Sequence, residues 1–142
     1  MSFILKPGKN SAWRKHVSSN LVADAICYKK GIKTSLPTAK RLKKLLNKLV
    51  TYAKKAEKEK EKKEVRQHFY RLALRYLVNK KNVKFKQGKE KIEVLDELFN
   101  KLGKKYQNQS GDCSRIIKLG RRRGDGSLRV IFSLVENEKS KK

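Results

Sequence analysis

Three consecutive arginines, Arg121, Arg122 and Arg123, are the residues of this chain with the sharpest chemistry. They stand between two apolar, β-branched runs, Arg115-Ile116-Ile117-Lys118-Leu119-Gly120 before them and Leu128-Arg129-Val130-Ile131-Phe132-Ser133-Leu134-Val135 after them. Planar guanidinium groups pair bidentately with phosphate and stack on bases, which a solvated lysine does less well. A charge run that merely keeps a loop in water usually mixes in acids, and the first one here is Asp125. An arginine-tipped loop held by two strands therefore predicts contact with the phosphates of a nucleic acid.

The other reactive residue types do not assemble into a catalyst. His16 and His68 fall on separate predicted helices, and neither has an acid and a nucleophile nearby in sequence. Neither the paired histidines of a zinc protease nor a phosphate-cradling glycine loop is present. The glutamates of residues 54–64 and the Lys89-Glu90-Lys91 stretch read as helical partners of lysine. Cys27 and Cys113 lie far apart without a C-x-x-C companion, and both read as reduced thiols. These observations argue against an enzyme, and they predict no metal, cofactor or small-molecule substrate.

Composition points the same way as the arginines. The chain has 142 residues with 39 Lys+Arg against 13 Asp+Glu, a formal charge of +26. Self-repulsion of that size is tolerated mainly where a polyanion neutralises it. Residues 1–56 are the purest footprint, with 14 basic residues, one acid (Asp24) and a net +13, so salt-dependent binding is expected there first. No apolar run approaches the roughly 20 residues needed to span a membrane. The start, Met1-Ser2-Phe3-Ile4-Leu5-Lys6, lacks the pattern of a secretory signal, so a cytoplasmic protein without membrane association is expected.

The elements that must position these residues follow from periodicity. Residues 1–10, with Lys6, Pro7, Gly8 and Lys9, read as an extended basic arm. A helix capped by Asn10 or Ser11 runs over 12–30, with the stripe Val17, Leu21, Ala25 and Tyr28 and an end at Gly31. Trp13, Arg14 and Lys15 open it. Trp13 either stacks on an unpaired base or anchors the helix to the core. A brief strand at Ile32–Ser35 leads to a second helix with Ala39, Leu42, Leu46, Leu49 and Ala53 inward, leaving Lys40, Arg41, Lys43, Lys44 and Lys48 off the stripe.

Residues 54–64, with six lysines and four glutamates, have too few apolar residues to pack and read as a solvated helical extension or a linker. A third helix over 64–79 carries Val65, Phe69, Leu72 and Tyr76. After a basic loop at 80–88, a fourth over 89–102 carries Ile92, Leu95, Leu98, Phe99 and Leu102 and stops at Gly103. Two strands, 115–119 and 128–135, form a C-terminal hairpin, and 137–142 read as a disordered tail. The expected class is two-layer α+β: helix, strand, three helices and two strands, the helices on one face of a small mixed sheet in one domain over 11–136.

At this point the residues resemble a known family. Arg115-Ile-Ile-Lys-Leu-Gly-Arg-Arg-Arg-Gly-Asp125 and the strand ending Leu134-Val135 resemble the signature of bacterial large-subunit ribosomal protein seventeen. Ser11-Ala-Trp-Arg-Lys15 with Asn20-Leu21 is similar to that family's first helix, and Thr34-Ser-Leu-Pro-Thr-Ala-Lys40 with Lys48-Leu-Val-Thr-Tyr-Ala-Lys54 to its second. Leu98-Phe-Asn-Lys-Leu102 and Tyr106 fit its fourth helix and exit. The chain departs at Trp13, where His is common, and at Asp112-Cys113, where Gly and Tyr are common.

The resemblance implies a structural constituent of the large ribosomal subunit, in the cytoplasm, binding 23S rRNA near the polypeptide exit side. Neighbouring ribosomal proteins, protein thirty-two among them, would be its protein partners. The residues assigned to RNA are Lys6, Lys9, Trp13, Arg14, Lys15, Lys40, Arg41, Lys43, Lys44, Arg115, Lys118, Arg121, Arg122 and Arg123. Charge alone also permits a nonspecific DNA- or RNA-binding basic protein outside the ribosome.

Overall fold

The computed structural model describes residues 9–28, 31–59, 61–77, 83–84, 91–92, 94–109 and 112–135. Within these the order is α1 (Ser11–Cys27), β1 (Ile32–Ser35), α2 (Leu36–Lys58), α3 (Lys63–Leu74), β2 (Val83–Lys84), β3 (Lys91–Ile92), α4 (Val94–Asp96), a π-helical turn (Glu97–Leu102), α5 (Gly103–Lys105), β4 (Ser114–Arg121) and β5 (Leu128–Leu134). The arm before Lys9, including Lys6, residues 80–82 and 85–88 of the basic loop and the tail at 137–142 lie outside the described residues.

The long helix α2 is the spine. Ala39, Leu42, Leu46, Leu49 and Ala53 recur three and four apart and are fully buried, as their spacing predicts, with Val50 beside them. The helix runs on to Lys58 and buries Ala56. The Lys/Glu stretch therefore does pack in part, because one small residue on the inward side suffices where the spine already lies against its neighbours. Pro37 sits in the first turn of α2, where its missing N–H is not needed.

Around the spine the helices differ from the sequence expectation in rotation and length. The buried side of α1 is Ser19, Val22, Ala23, Ala25 and Ile26. Of the stripe expected there, Val17 and Leu21 are half-buried and Tyr28 is 42 % exposed. On α3 the fully buried positions are Ala73 and, just beyond its end, Leu77, while Val65, Phe69, Leu72 and Tyr76 are half-buried. Tyr52 stacks on Phe69 at 6.1 Å between ring centroids, and Tyr70 meets Phe99 at 4.9 Å.

The expected fourth helix starts later, at Val94, since Lys91–Ile92 pairs with Val83–Lys84 as a two-residue antiparallel ladder. Leu95, Leu98, Phe99 and Leu102 are buried as expected. Gly103 does not end this helical segment. It continues to Lys105, and a Cβ at Gly103 would lie 3.2 Å from the Ala53 carbonyl oxygen, so the glycine is there for close approach to α2.

The sheet is ordered β1-β5-β4 and is antiparallel throughout, which corrects the expected mixed sheet. The connection from β1 passes through all the later helices and returns the chain reversed, so β5 pairs antiparallel with both neighbours. Val130 and Phe132 of β5 are fully buried under the helices. The Tyr106 hydroxyl donates to the Val135 carbonyl at 2.6 Å, tying the end of the last helical segment to the end of the sheet. Gly31, at φ +76°, passes so close that a Cβ would lie 2.6 Å from the Phe132 carbonyl oxygen. Among the described residues, no helix is long and apolar enough to cross a membrane.

Candidate nucleic-acid interface

The register of the sheet decides which charged residues meet. Ser35, the last residue of β1 and the N-cap of α2, pairs with Arg129, and Arg129 pairs on its other side with Gly120. Two strand spacings, about 10 Å, therefore separate the start of α2 from the strand that leads into the arginine loop. The start of α2 and the arginines at 121–123 and 129 therefore share one end of the sheet.

On the α1 side this end forms an open groove of about 530 Å³, with Lys9, Trp13 and Arg14 on one wall and Thr34, Thr38 and Arg41 on the other. Its apolar lining includes Val17, Leu21 and Pro37. Trp13, Val17 and Leu21 are four residues apart, so they form a single row along α1. Asn10 caps that helix by accepting from the Trp13 backbone N–H at 2.8 Å, which holds the tryptophan in the first turn. Trp13 is 40 % exposed, and the Lys9 Nζ lies 5.2 Å from its ring centroid. Arg14 Nε donates to the Asn10 carbonyl at 3.2 Å. Ser35 Oγ and Thr38 Oγ1 share a hydrogen bond of 2.9 Å rather than capping the helix. Among the described residues, none that lines the groove is acidic.

On the hairpin side, β4 and β5 pair in register from Ser114↔Leu134 to Lys118↔Val130, and a bulge then skips Leu119. Arg121 belongs to the strand, paired with Leu128, so only Arg122 and Arg123 lie beyond it. Arg122 is clasped by Asp125: Nε donates to Oδ1 at 2.9 Å and Nη2 to Oδ2. That fork raises the Arg122 pKa and, with the Ser127 backbone N–H, holds the Asp125 carboxyl far below the usual carboxylate range. Arg121 and Arg123 are exposed with no ion-pair partner among the described residues.

The remaining expected site residues divide between exposed and engaged. Lys40 and Lys44 are exposed on the outward side of α2. Lys43 instead pairs with Asp112, whose other oxygen accepts from Asn47 Nδ2. Lys43 and Asn47 together lower the Asp112 pKa, and this contact pins the turn before β4 to the spine. Lys15 sits apart from the groove on α1. It adds positive charge near Tyr76, whose phenol is drawn below its ordinary pKa chiefly by the hydrogen bond from Lys48, 2.6 Å long. Arg115 and Lys118 are exposed on β4 and, three residues apart, point to opposite faces of the sheet.

The sequence reading missed Thr34, Thr38 and Arg129. The signal for Arg129 was present, since strand alternation sets it out of phase with the buried Val130 and Phe132. For the threonines no local pattern existed, because the second wall of the groove lies on other segments, Thr34 on β1 and Thr38 on α2.

The chain matches the family model described as Ribosomal protein L17 over residues 17–135. It is 36% identical over 135 residues to the large ribosomal subunit protein bL17 of Mesoplasma florum, covering 95% of this chain and 100% of that protein. It is 35% identical over 136 residues to bL17 of Mycoplasma pneumoniae, covering 96% and 97%, and 36% identical over 135 residues to bL17 of Ureaplasma parvum, covering 95% and 100%. The chain belongs to the ribosomal protein L17 family.

Proposed function

We propose that this member of the family is a structural, non-enzymatic component of the large ribosomal subunit, which binds 23S rRNA near the polypeptide exit side in the cytoplasm. Neighbouring ribosomal proteins, including protein thirty-two, pack beside it. The observation that carries the reading is family membership along nearly the whole chain. The acid-free groove and the arginine hairpin at one end of the sheet supply a surface suited to phosphates and bases. Arg14, Arg41, Arg121 and Arg123 are the cations best placed for it; Lys43 and Arg122 already hold acids of the chain itself.

Cosedimentation tests the reading. The tagged chain is expected to travel with large subunits through a gradient at moderate salt and to leave them only at high salt, as counterion release requires. Absence from large subunits together with coating of chromosomal DNA would overturn it in favour of a nonspecific nucleic-acid-binding protein.

A further inference from the structure

We infer that the groove between the start of α1 and the start of α2 is a receptor for one unpaired nucleotide, its base stacked on Trp13 and its phosphate held between Arg14 and Arg41. The inference rests on the RNA-binding reading above and adds what the groove selects. Three features carry it.

First, the row Trp13, Val17, Leu21 has the spacing of a core stripe, yet it lines an open groove while α1 buries its other side. Apolar surface left open at helical spacing is unusual for a solvated face and suits a flat, weakly polar ligand. Second, the walls carry three cations, two threonine hydroxyls and no acid, so the ligand is anionic with hydrogen-bonding groups. Third, the helix cap at its own backbone N–H fixes the main chain that carries Trp13, which lowers the backbone share of the ordering cost of stacking. A regular duplex has no loose base to lower into such a groove, whereas a bulge or loop does. A nucleobase with its 5′ phosphate meets all three features. An acidic peptide meets only the charge.

Trp13 is the only tryptophan of the chain, so its fluorescence reports this site alone. The full chain is titrated with an RNA duplex carrying one extrahelical adenosine, with the same duplex lacking it, and with polyglutamate. The bulged duplex is expected to bind about ten-fold tighter than the flush one and to quench the tryptophan, in line with the stacking contribution of a single base. Trp13→Leu keeps apolar bulk without an aromatic face and, with binding followed by the fluorescence anisotropy of an end-labelled duplex, should abolish that preference. Trp13→Phe should retain part of it.

Equal binding of both duplexes, or an unchanged preference in Trp13→Leu, removes the nucleotide receptor and leaves the RNA-binding reading standing. Failure to bind either duplex removes both. Tighter binding of polyglutamate than of the bulged duplex assigns the groove to acidic peptide and overturns the proposal.

Discussion

The groove at the start of α1 and α2 and the arginine hairpin carry the same sign of charge at the same end of the sheet, but they are built for different work. The groove sets Lys9, Arg14 and Arg41 around an aromatic ring and an apolar lining. The hairpin offers exposed guanidinium groups on a bulged strand and its turn, and Arg122, one of the three consecutive arginines, is already committed to Asp125. A count of positive charges ranks the hairpin first. Geometry ranks it differently, because a clasped arginine contributes little new attraction to phosphate, while a cation beside an aromatic face can tell an unpaired base from a paired one.

The sharpest break in the comparison is to remove what holds the two regions together. Phe132 is fully buried on the central strand, between the strand that enters α2 and the strand that enters the hairpin. Phe132→Ala should cost about 3–5 kcal/mol by chemical denaturation, the range for deleting a core phenylalanine. It should weaken groove and hairpin together. A loss under about 1 kcal/mol would mean that the two regions are not joined through this side chain.

A smaller effect separates them. The double variant Arg121→Ala/Arg123→Ala should lower the slope of log affinity against log salt by about 1.5, at 0.7–0.9 per phosphate contact. Adding Arg122→Ala should change it little further, because the Asp125 fork already holds that guanidinium. A full third step would show that Arg122 leaves Asp125 for RNA. The matching double variant Arg14→Ala/Arg41→Ala should lower the slope by a similar amount.

The smallest effect concerns the cations that only hold the fold. Asp112→Asn should leave the salt slope unchanged and lower the melting temperature by less than Phe132→Ala does, since it loosens one exposed contact to Lys43. Its pH dependence has a definite sign. The Asp112 and Asp125 carboxyls both titrate below their ordinary value in the folded chain, so their stabilisation is complete above the unfolded carboxyl pKa of about 3.9. It is lost as the pH falls through their lower folded values. Carboxyl chemical shifts followed from pH 6 downward should show both groups ionised past the ordinary midpoint, and a midpoint near 4 for either would contradict its contact.

Much of this protein was legible before any coordinates. The stripe from Ala39 to Ala53, the hairpin around the arginines and the short strand at Ile32 are local patterns, because helical and strand periods are written into residue order. The family was equally legible, since its signature is a contiguous run. The rotation of α1 was not, for both of its sides carry apolar residues, and only α2 and the sheet decide which is covered. The same holds for Gly103, which reads as a helix stop until the Ala53 backbone is seen beside it.

Residue order by itself determined the charge, the spine helix and the presence of an arginine hairpin. Only the tertiary structure decided which charges act in concert. It placed Lys43 against Asp112 across a separation of 69 residues and turned half of an expected core stripe into the lining of a groove. It also brought the start of α2 and the arginine hairpin to one end of the sheet through the pairing of Ser35 and Gly120 with Arg129. The physical reason is that side-chain type and spacing are properties of one segment, whereas a site needs two segments. What lies opposite depends on a strand register and a helix rotation that are settled by burial across the whole core.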